Sequence, residues 1–488
     1  MFPFENVILI NRASKTPIYK QIAYAISSAI QSGVLLSGTQ LPGSRELAKK
    51  LVVHRKTVIA AYDELNAQNW IDIVPRKHVF VSHKIPLITI QHLNKEKIIS
   101  SYDTVFSLPF KEFNDVCKPK IKTLPHLIID DGHPDVRLSP IDDLLKNYRS
   151  LTSKKHTIKN AQIGADQGTI ELREQIVTYL SETRGLNIST NNLLITHGAQ
   201  MCIYIVTQLI LRKDSNIIVG HPNYALANQT FKESGANLIE VPVDEYGIDV
   251  AAIENICKNQ KITAVYIIPH HHYPTTVTLS AERRRKLLEL SQTYMFTIIE
   301  DDYDYEYHYD SSPYLPLAGF PHMGNVIYIG SFSKILDPSL RIGFLVAPNN
   351  FIMECTAFRR TIDVGGDGYM QNALATLIKE SELNRHIKKA KKIYHQRRDY
   401  LDKKLKENLA KYILYTLPSG GMAIWITLYP EYPISLLTEN KNLTIIRAYK
   451  EFNSFRFGFA SMNEKEIDEL IELIKNILKT KDLSYMFD

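Results

Sequence analysis

The chain predicts two folded parts: a winged helix-turn-helix (α+β) at the N-terminus, then a larger α/β domain built on a mostly parallel sheet. Three observations predict this. The first eighty-odd residues carry three short helical patterns followed by two alternating strand patterns. From about residue 125, apolar strand runs alternate with amphipathic helices. Charge is also unevenly placed. Residues 1–85 hold 11 Lys/Arg against 5 Asp/Glu, and the remainder holds 47 of each, so the net charge of +6 lies entirely in the N-terminal part. A basic module on a neutral body suggests a polyanion as the partner of that module alone, while charge by itself equally admits a chance excess on a soluble domain.

Bulk properties bound the answer. The 488 residues suffice for two or three domains with a sizeable core. Hydrophobic content of 44% and charged content of 23% are ordinary for a soluble globular protein. Cys117, Cys202, Cys257 and Cys355 are far apart with no C-x-x-C pair, which argues against a disulfide framework or a zinc site and fits a reducing cytoplasm. The start offers only the short apolar run Val7–Ile10 behind Glu5, which is no signal peptide. No apolar stretch approaches the roughly 18–20 residues that span a bilayer, so no membrane partner is expected.

Within the N-terminal part, Pro17 opens a helix whose Ile18, Ile22, Ile26, Ala29 and Ile30 share one face, and Gly33 stops it. A short helix through Leu47, Ala48 and Leu51 follows, with Ser44 expected as its N-cap. Val52-Val53 turns the chain into a third helix with Val58, Tyr62 and Leu65 at three-to-four spacing. The leading end of that helix is polar: His54, Arg55, Lys56 and Thr57. The start of a recognition helix is the part that enters the major groove, where donors reach base edges and phosphates. Trp70–Val74 and His78–Ser82 alternate as two strands, with Arg76-Lys77-His78 as the tip of a wing. A basic helix start is ordinarily a solvated face and a basic turn ordinarily a turn; the order of the pieces is what favours DNA.

This stretch resembles the winged helix of the GntR family, through Pro17-Ile18-Tyr19-Lys20-Gln21-Ile22, Gly33, Leu41-Pro42, Ser44-Arg45-Glu46-Leu47-Ala48, Arg55-Lys56-Thr57-Val58 and Ala61-Tyr62-Asp63-Glu64-Leu65. The resemblance implies Arg45, Arg55 and Thr57 as DNA contacts. Arg76 and Lys77 stand where the family often has an Arg followed by a Gly-Ser-Gly tip. The domain is expected over 1–83, a linker rich in mixed polarity over 84–124, and the large domain over 125–488, with a small C-terminal α+β subdomain from about 380.

In the large domain, helical faces (170–180, 201–211, 283–293) alternate with apolar runs (193–196, 216–219, 264–268, 296–299, 326–329, 342–346), the signature of a mostly parallel sheet covered on both faces. Chemistry then belongs at strand ends and the loops after them. Thr196-His197-Gly198-Ala199-Gln200 follows a strand and opens a helix, offering free N–H groups to a phosphate. Tyr224, after the next strand, is an aromatic that either packs or stacks on a flat ring. Asp301 follows the 296–299 run, and a buried carboxylate there needs a partner, for which a pyridinium nitrogen is suitable. Tyr303 lies two residues on. The acidic run Glu300-Asp301-Asp302 also admits a metal reading, which adjacent acids disfavour because they cannot converge on one ion. Lys334, with Ser331, Ser333 and Arg341 around it, combines an amine suited to a Schiff base with hydroxyls and a guanidinium suited to a phosphate.

These motifs resemble fold-type I pyridoxal phosphate (PLP) aminotransferases, and the pairing with a winged helix resembles the MocR-type subgroup of GntR regulators. The resemblance rests on Pro269 through Leu279, Ile299-Glu300-Asp301-Asp302-Tyr303-Asp304, and Ile329-Gly330-Ser331-Phe332-Ser333-Lys334 followed by Arg341-Ile342-Gly343. It implies PLP as the cofactor, Lys334 as its Schiff-base lysine, Asp301 at the ring nitrogen, Tyr303 at the 3-oxygen and Tyr224 on the ring face. It further implies Ser331, Ser333, Arg341, Ala199 and Gln200 at the phosphate. Phe455-Arg456-Phe457-Gly458-Phe459 matches the strand whose arginine grips an amino acid's carboxylate, a task for which the fork of Arg456 is suited. His271-His272-Tyr273-Pro274-Thr275-Thr276 departs from the family's His-Gln-x-Pro-x-Gly, His221 stands where an acid is common, and Leu226 where some relatives have an arginine. The implied function is a PLP-dependent transcriptional regulator that binds promoter DNA and senses PLP, an amine or an amino acid, with a homodimer, often head-to-tail, as the implied assembly. A second reading is a working aminotransferase with a vestigial DNA-binding module, and a third is a PLP-independent DNA-binding scaffold. A transamination half-reaction fits either of the first two.

Overall fold

A computed structural model describes residues 4–74, 78–84, 109, 111, 127–153, 165–310, 314–363 and 365–484, side chains being described for all of these except 5, 6 and 482–484. Two compact units result, Met1–Lys111 and Glu112–Asp488.

In the first unit, α1 (Ile18–Gln31), α2 (Ser44–Lys50) and α3 (Arg55–Ala67) enclose one apolar core. Ile22, Ile26 and Ile30 of α1 meet Leu47 of α2 and Val58, Ala61 and Leu65 of α3, all fully buried. The helical spacing read from sequence is thus the packing face. The cap of α2 differs from expectation. Gly43 is its N-cap and Ser44 its first helical residue, because the Ser44 hydroxyl instead accepts from Arg55 Nε at 3.3 Å. Val52 takes a left-handed φ of 51° in the turn between α2 and α3. The sheet has three strands, β1 (Gln40–Leu41), β2 (Ile71–Ile73) and β3 (Val79–Val81), in the order β1-β3-β2. β2 and β3 pair antiparallel with Ile71 opposite Val81. β1 is an addition that two residues could not announce by periodicity. Arg76 and Lys77, expected at the tip of a wing, lie outside the described residues, as does nearly all of 84–124.

The second unit is built around an eight-stranded sheet. Its strands are β5 (Leu193–Thr196), β6 (Asn216–His221), β7 (Asn237–Asp244), β8 (Gly247–Ile248), β9 (Ala264–Ile267), β10 (Thr297–Asp302), β11 (Val326–Ser331) and β12 (Gly343–Val346), in the order β5-β12-β11-β10-β9-β6-β7-β8. The run from β11 to β7 is parallel, whereas β12 is antiparallel to both its neighbours. Strand alternation divides the side chains between two cores. After α4 (Ile141–Thr152) and α5 (Ile170–Arg184) in the chain, α6 (Ala199–Ile210) and α7 (Ala225–Glu233) pack on one face against Ile217, Val219, Tyr266, Ile299, Ile327 and Ile329. Ile218, Val265, Ile267 and Ile298 face the other way, toward the helices Val250–Asn259 and Ala281–Tyr294.

β4 (Leu127–Ile129) belongs elsewhere: it pairs in parallel with β15 (Leu443–Ile445). β13 (Ile413–Tyr415), β14 (Ala423–Leu428), β16 (Ala448–Tyr449) and β17 (Ser454–Gly458) form an antiparallel sheet in the order β13-β14-β17-β16. The long helix Glu382–Asn408 covers it through Ala390, Tyr394, Leu401 and Leu405, together with Ile467, Leu470 and Ile474 of the last helix. No helix among the described residues is long and apolar enough to cross a membrane.

Candidate cofactor site and nucleic-acid interface

The strand β10 reaches Asp302, so Asp301 is a residue of the strand and not of the loop after it. That correction explains how three consecutive acids coexist. Alternation sends Asp301 to the face shared with Tyr266 and Ile329, and Glu300 and Asp302 to the opposite face. Glu300 accepts the backbone N–H groups of Leu317 and Ala318 at 2.7 and 2.9 Å. Asp302 meets His270 Nδ1 at 3.0 Å and accepts from Tyr328 at 2.7 Å. Burial would raise the Asp302 carboxyl, but His270 and Arg184 hold it down at about 2. Glu300 and Asp302 are thereby consumed by structure. No group of three or more His, Cys, Asp or Glu side chains arranged to hold a metal ion occurs among the described residues.

Asp301 is different. It is 4% exposed. Its Oδ2 accepts from Tyr266 at 2.7 Å, while its Oδ1 is buried without a partner among the described residues. Burial pushes its carboxyl up to about 7, with Asp302 and Asp304 adding to the shift and Tyr266 opposing it. It lines a cavity of about 630 Å³ together with Tyr224, Tyr303, Ser333, Lys334 and Arg341. The structure therefore brings six of the nine expected cofactor residues around one space. Such a volume accommodates a cofactor and a small ligand.

Lys334 is half-buried, and its Nζ donates to Gly132 O at 2.6 Å. Burial lowers its ammonium below the ordinary value, Asp131 opposes that and Arg456 reinforces it. Ser333 lines the cavity with a buried Oγ that has no partner among the described residues. Ser331 ends β11, and its Oγ accepts from the Ser333 N–H at 3.1 Å, fixing the turn that presents Lys334. Arg341 holds a left-handed φ of 52° and donates to His197 O at 2.8 Å. That places its guanidinium against the start of α6, where Ala199 and Gln200 are the first two helical residues and their N–H groups have no acceptor within the helix. Gly198, the N-cap with a φ of 90°, is needed there. A Cβ on it would lie 2.6 Å from the Arg341 guanidinium.

Two expected residues are turned to protein partners. The Tyr303 hydroxyl donates to His271 O at 3.0 Å. Tyr224 meets Tyr273 edge-on, ring centroids 5.4 Å apart. Arg456, 2% exposed, is not among the residues lining the cavity, although it adjoins two that are, Asp131 and Tyr273. Its Nε and Nη1 donate to Asp131 O and Pro274 O at 3.0 and 2.9 Å, and its guanidinium lies 4.6 Å from the centre of the Tyr273 ring.

Sequence reasoning missed the segment Asp130–His133 and Arg447, all of which, Gly132 excepted, line the cavity. Burial would raise the Asp131 carboxyl, but Lys334, His133 and Arg456 hold it at about 2. Both segments directly follow apolar strands, β4 and β15. The strand-end rule applied to those two short runs is the signal that could have found them.

In the N-terminal unit, Arg45, His54, Arg55 and Lys56 are exposed and Thr57 half-buried. His54 caps α3 by accepting from Lys56 N at 3.2 Å. Beneath, the Tyr62 hydroxyl donates to Pro42 O at 2.7 Å and ties α3 to the approach of α2. The helix start therefore presents a bare cationic edge with its apolar residues turned inward.

Comparison with known proteins agrees with both halves. Residues 137–474 match the family described as aminotransferase class I and II, and residues 18–81 match the bacterial regulatory proteins of the gntR family. The chain is similar to the uncharacterized HTH-type transcriptional regulator YisV of Bacillus subtilis, 27% identical and covering 87% of each chain. It is similar to the probable rhizopine catabolism regulatory protein MocR of Rhizobium meliloti, 25% identical over 86% of this chain and 83% of that one. Among solved structures, the kynurenine aminotransferase of Pyrococcus horikoshii, in complex with PMP, is 27% identical with a TM-score of 0.68, covering 74% of this chain and 92% of that one.

Proposed function

The chain belongs to the class I and II aminotransferase family and carries a gntR-family domain ahead of it, the MocR-type arrangement, and we propose that it is a transcriptional regulator whose DNA binding responds to PLP or to an amino compound held in the cavity around Lys334. The observation that carries the reading is the unpartnered, buried Oδ1 of Asp301 in the same cavity as the Lys334 amine. A buried acceptor left without a donor costs about 1–3 kcal/mol, and a protonated ring nitrogen supplies that donor.

The residues present fit PLP. Asp301 would take the ring nitrogen, Lys334 the aldehyde carbon, Tyr303 the ring oxygen and Tyr224 a ring face. Arg341, Ser333 with its own unpartnered hydroxyl, Ser331 and the first N–H groups of α6 would take the phosphate. When bound, PLP supplies an aldehyde that reacts with primary amines and a ring that withdraws electrons. The depressed basicity of Lys334 favours the neutral, nucleophilic amine. Arg456, whose fork retains donors beyond the two it spends on carbonyls, would take the carboxylate of an amino acid.

Lys334 also has a structural contact to lose. Its hydrogen bond to Gly132 O holds the 130–133 segment. That segment is tied to β17 by Gly458 N–H donating to Asp130 O at 2.9 Å and Arg456 Nε donating to Asp131 O at 3.0 Å. Engagement of the amine elsewhere would release this tie, giving the ligand a differential effect on two arrangements of the small sheet. On the DNA side, the exposed edge of Arg45, His54, Arg55, Lys56 and Thr57 would enter the major groove.

Adding PLP to the purified chain is expected to give a visible absorption band that Lys334→Ala abolishes. No band in the unsubstituted chain sinks the cofactor half of the reading. Sustained keto-acid production over many turnovers from an amino donor would favour an enzyme in place of a sensor.

A further inference from the structure

The cavity's charges are not evenly spent. Asp130 Oδ1 accepts the N–H groups of Gly132 and His133 at 2.7 and 3.0 Å, and its Oδ2 accepts from Ser461. Asp131 accepts from Tyr273 at 2.9 Å and faces His133 at 3.4 Å. Arg341 spends one N–H on His197 O, beside the start of α6. Arg447 alone among the cavity's guanidiniums has no hydrogen bond or ion pair among the described residues, although it is half-buried.

Its position is built, not incidental. Arg447 sits in the two-residue link between β15 and β16. The preceding residue, Ile446, donates its N–H to Ile129 O at 3.0 Å, extending the β15–β4 ladder to the point where Asp130 begins. The next residues pair with β17, Ala448 opposite Phe455. The backbone on both sides of Arg447 is therefore held by sheets. Both it and Tyr224 line the cavity, and its charge favours ionisation of the Tyr224 hydroxyl, as that of Arg341 does.

A guanidinium partly removed from water and left unpaired is a standing cost unless an anion comes to it. The phosphate has its own donors at Arg341 and α6, and an amino acid's carboxylate has Arg456. We infer that Arg447 receives a second anionic group, so that the amino compound sensed in this cavity is an acidic one, a dicarboxylic amino acid in place of a neutral one. This rests on the reading of the cavity as a PLP and amino-ligand site.

The test uses the full chain loaded with PLP, titrated calorimetrically with L-glutamate and with L-glutamine, two probes of nearly equal shape that differ in one charge. A charge-assisted pair with Arg447 predicts that glutamate binds about tenfold or more tightly than glutamine. Arg447→Gln is expected to bring the two affinities within about twofold of each other, while Arg447→Lys, which keeps the charge and loses the fork, retains part of the difference. The visible cofactor band reports whether each variant is folded and loaded. Equal affinities in the unsubstituted chain, or a ratio unmoved by Arg447→Gln, overturn the inference alone. Failure of the unsubstituted chain to take up PLP at all overturns it together with the reading beneath it.

Discussion

Asp301 concentrates the physical argument in one side chain. Its carboxyl sits at about 7 against an ordinary 3.8 because it is buried. Between those values the folded chain holds a proton that the unfolded chain has released, so this group's contribution to stability falls as pH rises from about 4 through about 7. Asp301→Asn removes that penalty. The cofactor-free variant is expected to melt higher than its parent at pH 8, by up to about 4 kcal/mol in stability, and to match it near pH 4. The same variant should bind PLP at least about tenfold more weakly, since it cannot carry the counter-charge to a ring cation. Parallel melting curves at both pH values would contradict the assignment. The identity of Asp301 as the odd acid of its run was legible because it stood near a strand end. Its sorting from Glu300 and Asp302 was not, since it depends on the strand continuing three residues beyond the last apolar one.

At the scale of elements, two helix starts hold the groups proposed for the phosphate and for DNA. Gly198 lets the start of α6 pass within reach of the Arg341 guanidinium. Gly198→Ala forces a Cβ into that contact at a left-handed φ, so a loss of about 1–3 kcal/mol is expected, together with weaker PLP binding, read by thermal melts and absorbance titration. In the N-terminal unit, Arg55→Ala at the start of α3 should weaken DNA binding and lower the slope of log affinity against log salt by about one. Tyr62→Phe, which removes only the bond to Pro42 O, should cost about 1 kcal/mol of stability and leave that slope unchanged. An unaltered slope in Arg55→Ala would place the phosphate contacts elsewhere. Both helices were legible from apolar spacing plus polar residues at their leading ends. Neither β4, the two-residue β1 nor the link holding Arg447 was legible in that way, because runs of two or three residues carry no period. Ser44 was misread as a cap for a related reason: the same residue type serves a cap or a tertiary bond, and only the position of Arg55 decides between them.

For the whole molecule, the charge division and the order of helices and strands together separate a cationic N-terminal part from a neutral α/β part in the sequence alone. What the sequence could not reveal is how protein groups already spend one another's charge inside the cavity, which is the basis for singling out Arg447. The central claim is that the occupant of the Lys334 cavity alters DNA binding. It is tested most directly by the electrophoretic mobility of the DNA upstream of the coding sequence, titrated with the chain alone, with PLP, and with PLP plus an amino ligand. A coupling free energy of the usual size predicts that the midpoint moves by about fivefold or more between these states, and that Lys334→Ala still binds DNA while its midpoint no longer responds. Identical midpoints in all three states of the unsubstituted chain would contradict the claim.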